Sequence, residues 1–129
     1  MSSLVPTLTA VTVFEGNGSV LVRYELSGPV PQDETFLVGV HGKSKDGKVL
    51  RQFGIKFLDG ESIGYFAFDD NVAKPESFDY IAATDDPHQI LTPYPAGHFG
   101  ELGDAPQLRG YLNYAGVDQQ TDVQVEVVR

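Results

Sequence analysis

Cysteine and tryptophan are absent from this 129-residue chain, methionine occurs once, and acidic residues outnumber basic ones two to one. Without cysteine there is no disulfide, no thiolate chemistry and no cysteine-ligated zinc, and the redox compartment is left open. Nine Lys and Arg against eighteen Asp and Glu give a net charge of −9, which repels phosphate backbones and argues against nucleic acid as a partner. Residues 1–6 have neither a basic start nor a long apolar run. No signal peptide or membrane span is therefore expected, and the chain reads as soluble with its location unassigned. Helical periodicity is missing, as is any family-specific motif. There is no Gly-x-Ser-x-Gly elbow and no glycine-rich phosphate loop, so no cofactor, catalytic residue or metal ligand is assigned.

What the chain does have is strand patterning cut by turns. The firmest stretch is 36–57, which folds back at Asp46-Gly47, a pair suited to a two-residue type I′ turn. That turn sets Lys45 opposite Lys48, and then Val40 opposite Phe53, Val38 opposite Ile55 and Phe36 opposite Phe57. A slip of one residue would send these apolar side chains to opposite faces, so turn and pattern specify the same register. Asp59-Gly60 reads as a second such turn, which would put Phe53 opposite Phe66 and lay Tyr65 across the facing glycines Gly39 and Gly54. An aromatic ring over paired strand glycines is a known remedy for that weak spot.

Further strands are expected at 7–14, 19–27, 62–69, 78–84, 107–115 and through Val123, Val125 and Val127 at the end, with 28–35 and 71–77 as connections. Residues 85–106 hold four prolines and two histidines and read as one long loop. The whole, 1–129, is a single domain large enough to bury its own core. The expected fold is an all-β antiparallel sandwich of about eight strands, immunoglobulin- or fibronectin-III-like in class, with one long Pro-rich loop. A closed β-barrel is the alternative. If strands alternate in direction, loops 28–35 and 85–106 share one end with turn 59–61, and the hairpin tip lies at the other.

Charge is uneven along the chain. Residues 1–58 carry six basic and five acidic side chains, whereas 59–129 carry three and thirteen. Lys43, Lys45, Lys48 and Arg51 crowd the hairpin tip, read as a solvated cluster that keeps strands from pairing edge to edge. Asp69-Asp70-Asn71 and Asp85-Asp86 resemble a calcium site in composition, but the alternation of strands puts them at opposite ends. His88 and His98, with Glu101 in the same loop, lack any established ligand spacing. The loop's apolar residues carry more weight. Ile90, Leu91, Tyr94 and Phe99 either pack down over one end of the fold or face a partner, and loops this long are commonly functional.

The leading expectation is a non-enzymatic interaction or structural module. It would contact a protein partner, or its own copies, through loops 28–35 and 85–106, with Tyr94, Phe99, His88, His98, Ile90 and Leu91 as binding residues. A small barrel enzyme or ligand carrier with His88 or His98 at its mouth is the first alternative, and a carbohydrate- or calcium-binding module the second.

Overall fold

The computed structural model describes residues 6–16, 18–31, 33–59, 61–69, 74–78, 88–103 and 106–128, with backbone alone for 62, 65, 69, 74–78, 95, 96 and 98. β-Branched and aromatic residues in alternation give β1 (Leu8–Glu15), β2 (Ser19–Leu26), β3 (Thr35–Lys43), β4 (Leu50–Leu58), β5 (Glu61–Asp69), β6 (Lys74–Phe78), β7 (Gln89–Pro95), β8 (Gln107–Tyr114) and β9 (Val117–Val128). One helical turn, α1 (Ala96–Gly100), links β7 to β8. Among the described residues no helix is long and apolar enough to cross a membrane.

The nine strands described form one hydrogen-bonded sheet in the order β6-β5-β4-β3-β8-β9-β1-β2-β7, curled into an open half-barrel. Neighbours are antiparallel except β1 and β9, which run parallel from Val11 beside Val125 to Phe14 beside Val128. The seam is β9. Its register against β8 shifts between Gly110 and Leu112 and again between Leu112 and Asn113, each time with the extra residue on β9. Such bulges bend a strand and increase its twist. β9 thus begins beside β8 and ends beside β1. Where β1 has not yet reached it, the Gln120 side chain stands in for a backbone peptide: its Oε1 accepts the Leu8 N–H at 2.7 Å and its Nε2 donates to Leu8 O at 3.1 Å.

The two arms of the sheet face each other across one core. Phe36, Val38, Val40, Phe53, Ile55 and Phe57 on the β3–β4 side, and Val20, Val22, Tyr24, Ile90 and Tyr94 on the β2–β7 side, are all buried. The arms touch where the Tyr94 ring meets Phe53 edge-on at 5.1 Å between centroids.

Several expectations from the sequence need correction. The chain is all-β, but its described strands belong to one continuous sheet whose half-barrel curl is partly that of the barrel alternative, and residues 89–95 of the long loop are strand β7. Its prolines permit this. The Leu26 N–H bonds His88 O, so bonded pairs recur at Ile90, Thr92 and Tyr94, and the nitrogens of Pro93 and Pro95 face away from β2. An edge strand tolerates proline at such positions. Residues 74–78 form β6 where a connection was expected, and the rest of the expected strand 78–84 lies outside the described residues.

The hairpin register is as expected, from Phe36 opposite Phe57 to Lys43 opposite Leu50. Its turn is not type I′. Only Gly47 takes a positive φ, of 78°, and the Gly47 N–H bonds Ser44 O at 2.9 Å. The Ser44 hydroxyl donates to Asp46 Oδ1 at 2.7 Å and accepts the Val49 N–H at 3.0 Å, holding Asp46 in the wider loop. In the next hairpin Asp59 has φ 53° and Leu58 faces Glu61, as expected, but a bulge between Lys56 and Phe57 then shifts the register. Phe53 therefore lies opposite Ala67, and Gly54 opposite Phe66 in place of Tyr65.

Candidate functional site

The residues expected to form a binding loop are divided by β7. Ile90, Tyr94 and Phe99 come together in the core, 2%, 1% and 7% exposed. Phe99 stacks on Phe53 with ring centroids 4.1 Å apart and planes 9° from parallel. Tyr94 Oη donates to Gly54 O at 3.4 Å. These rings fill the interior; of the two roles open to the loop, packing down is the one they take here. Leu91 is half-buried on the other side of the strand.

His88 is exposed at the Leu26 end of β7, whereas His98 belongs to α1 at the Ser19 end. A strand of seven residues separates them by about 23 Å, so they share no site. Loop 28–35 lies beside His88, and α1 lies at the hairpin-tip end, which corrects the expected grouping of loops. Asp70, Asn71, Asp85 and Asp86 lie outside the described residues, among which no group of three His, Asp or Glu side chains could hold a metal ion.

The hairpin tip is less uniformly solvated than its sequence implied. Arg51 turns inward, is 8% exposed, and pairs with Glu101 at 2.9 Å beyond α1. Leu102 packs beneath Gly42, its Cδ1 2.7 Å from where a Cβ would stand. A side chain on Gly42 would press on the methyls of Leu102 and Leu108.

On the outer face of the same end is an open depression of about 220 Å³, lined by His41, Gly42, Lys43, Leu50, Gln107 and Arg109. Register builds it. His41 and Lys43 share the outer face of β3, with Leu50 of β4 opposite Lys43 and Arg109 and Gln107 of β8 opposite His41 and Lys43. Arg109 also forms an exposed ion pair with Asp122, the kind of contact that contributes little to stability. The remaining wall is apolar: Leu50, 36% exposed.

Beside the depression, on the same outer face, lies Tyr111. A Cβ on Gly39 would stand 2.3 Å from its Cζ and Oη, and one on Gly54 3.0 Å from its Oη, so the ring occupies the space both glycines leave. Tyr111 Oη donates to Gln52 Oε1 at 3.0 Å, and the ring lies 4.5 Å from that of His41. The sequence signalled that a ring should cover this glycine pair. It misplaced the source over Gly39, because only the long-range pairing of β3 with β8 brings Tyr111 there. Over Gly54 the expected strand does supply a ring, Phe66 in place of Tyr65, its Cζ 2.8 Å from where a Cβ would stand.

Chemically, the depression offers a guanidinium, an ammonium, an amide and an imidazole around one leucine, on a chain of net charge −9. Cationic donors beside an apolar wall suit a carboxylate attached to an apolar group, through charge-assisted hydrogen bonds. Comparison with models of protein families, with curated proteins and with solved structures finds no match to this chain.

Proposed function

We propose that this chain is a non-enzymatic interaction module that meets a protein partner, or further copies of itself, through the outer face at the hairpin-tip end. The observation that carries this reading is the basic, leucine-walled depression on a strongly acidic domain. The interior, filled by Phe36, Phe53, Tyr94 and Phe99, leaves binding to the surface and counts against a barrel carrier with His88 or His98 at its mouth. Two arms facing one another across a core support an immunoglobulin-like class only at the level of packing. Of the loops first expected to make contact, 28–35 retains exposed Asp33 and Glu34, while 85–106 contributes α1 near the depression.

The test uses isotope-labelled protein and a short synthetic peptide of Leu, Glu and Asp. Amide shifts are expected at 41–43, 50 and 107–109, with affinity at least about tenfold weaker in Lys43→Glu combined with Arg109→Glu, the loss of one charge-assisted contact. Shifts scattered over the surface, or unchanged affinity in the double variant, would remove the depression as the contact site.

A further inference from the structure

The outer face of the β3–β4–β8 region carries most of its charge at its two ends, with Gly39, Gly54 and the buried Tyr111 between them. Its hairpin-tip end carries His41, Lys43, Lys45, Lys48 and Arg109 around the exposed Leu50, with Asp122 on Arg109 and Asp46 held within the turn. The opposite end carries Asp33, Glu34, Asp59, Glu61 and Asp118, five carboxylates around the exposed cation Lys56 of β4. Exposed apolar residues stand among them too: Leu58 at 40%, Ile63 at 54% and Val117 at 60%. Ile63 is exposed for a local reason. The bulge gives β5 one residue more than β4 between Gly64 and Ser62, and Ile63 has no partner across the ladder. Leu50 and Leu58 mark the two ends of one strand face, eight steps apart along the nine residues of β4, or about 27 Å.

We infer that the occupant of the depression is the β4–β5 turn of a second copy of this chain, with Asp59 and Glu61 meeting Lys43 and Arg109, and Leu58 and Ile63 meeting Leu50. The inference rests on the depression being a contact surface, and it names what contacts it. Complementarity is twofold: carboxylates flanking apolar side chains on the turn, cations flanking a leucine in the depression. Like ends repel, so two copies must join by unlike surfaces. Repeated, the contact makes open rows; reciprocated, it makes a closed pair. Both arrangements need the same depression and the same turn.

Two variants break one surface each. Lys43→Glu with Arg109→Glu reverses the depression, and Asp59→Asn with Glu61→Lys reverses the turn, Asn being able to keep the positive φ at 59. All four positions are exposed, and circular dichroism checks that each variant folds. Sedimentation velocity in about 50 mM salt, at concentrations up to about 1 mM, is expected to show association of the unmodified protein that weakens at least about tenfold in about 500 mM salt. Each variant alone should remain at 14.0 kDa. An equimolar mixture should regain association through the one intact depression and the one intact turn. Unmodified protein that stays monomeric overturns this occupant, as does association that survives both variants or a mixture that regains nothing. The peptide titration above needs no second copy and judges the depression independently of these outcomes.

Discussion

The β3–β4 hairpin has two faces that are organised by different means. Inward, Phe36, Val38, Val40, Phe53, Ile55 and Phe57 form an unbroken row of large buried side chains. Outward, at the hairpin's middle, Gly39 and Gly54 face each other, and the space they leave is filled by Tyr111 from β8, joined over Gly54 by Phe66 from β5. The inner face carries its own register, because a slip would expose it. The outer face carries only a gap, and Tyr111, which spans it, comes from far along the chain. A row of hydrophobes is self-sufficient information; a pair of glycines is a request to another strand.

The largest effect that would test this contrast lies on the inner face. Phe53→Ala removes the ring that stacks on Phe99 and meets Tyr94, and should cost about 3–5 kcal/mol in urea unfolding. A loss below about 2 kcal/mol would mean that the interior collapses onto the gap and is not rigidly packed there. On the outer face, Gly39→Ala drives a Cβ to 2.3 Å from Phe53 O and the Tyr111 ring, an overpacking expected to cost about 1–3 kcal/mol. Gly97→Ala, with open space around its Cβ, is the control and should not destabilise the fold. If the two alanines behaved alike, the outer face would be as tolerant as a loop.

A smaller effect is expected from Tyr111→Phe, which keeps the ring and removes its hydrogen bond to Gln52, for about 0.5–1.5 kcal/mol. The smallest belongs to the turn joining the two strands. The Ser44 hydroxyl, then the Lys48 N–H, holds the Asp46 carboxyl below the ordinary carboxylate value. Because the folded value is the lower one, its stabilisation is present above the ordinary value of about 3.9 and is lost as pH falls through the depressed one. A carboxyl titration by NMR should give a midpoint below about 3.9 for Asp46, moving up toward it in Ser44→Ala. A midpoint that ignores Ser44→Ala would remove the hydroxyl as the cause.

Legibility followed the same division. Alternation in 36–57 and two turn signals were enough to place the central hairpin and the start of β5. What followed Asp59-Gly60 was hidden, because nothing in the residues around Ile63 announces a bulge, and one extra residue moved Phe66 to where Tyr65 was expected. The prolines of 85–106 suggested a loop, since a proline's effect depends on which way its nitrogen faces, and that is known only once a neighbour is assigned. For the candidate site, Lys43 and His41 could be put on one face of the hairpin from sequence. Arg109 and Gln107 could not, because pairing between β3 and β8 follows from the closing of the sheet and not from any local pattern.

The clamp of Gln120 on Leu8 joins residues 112 positions apart, and the parallel ladder beside it joins the first described strand to the last. In time as well as in space, this makes the seam a final step. Chain entropy penalises such distant closures most, whereas the 36–57 hairpin forms from neighbours. Refolding should therefore run from hairpins to seam, with amides of 125–128 gaining protection in pulse-labelled hydrogen exchange after those of 36–57. Simultaneous protection would show the seam to be part of the nucleus. If β9 does arrive last, β8 and β1 each present a bare edge until then, and the joining of β1 to β9 would set how long the folding chain remains open to aggregation.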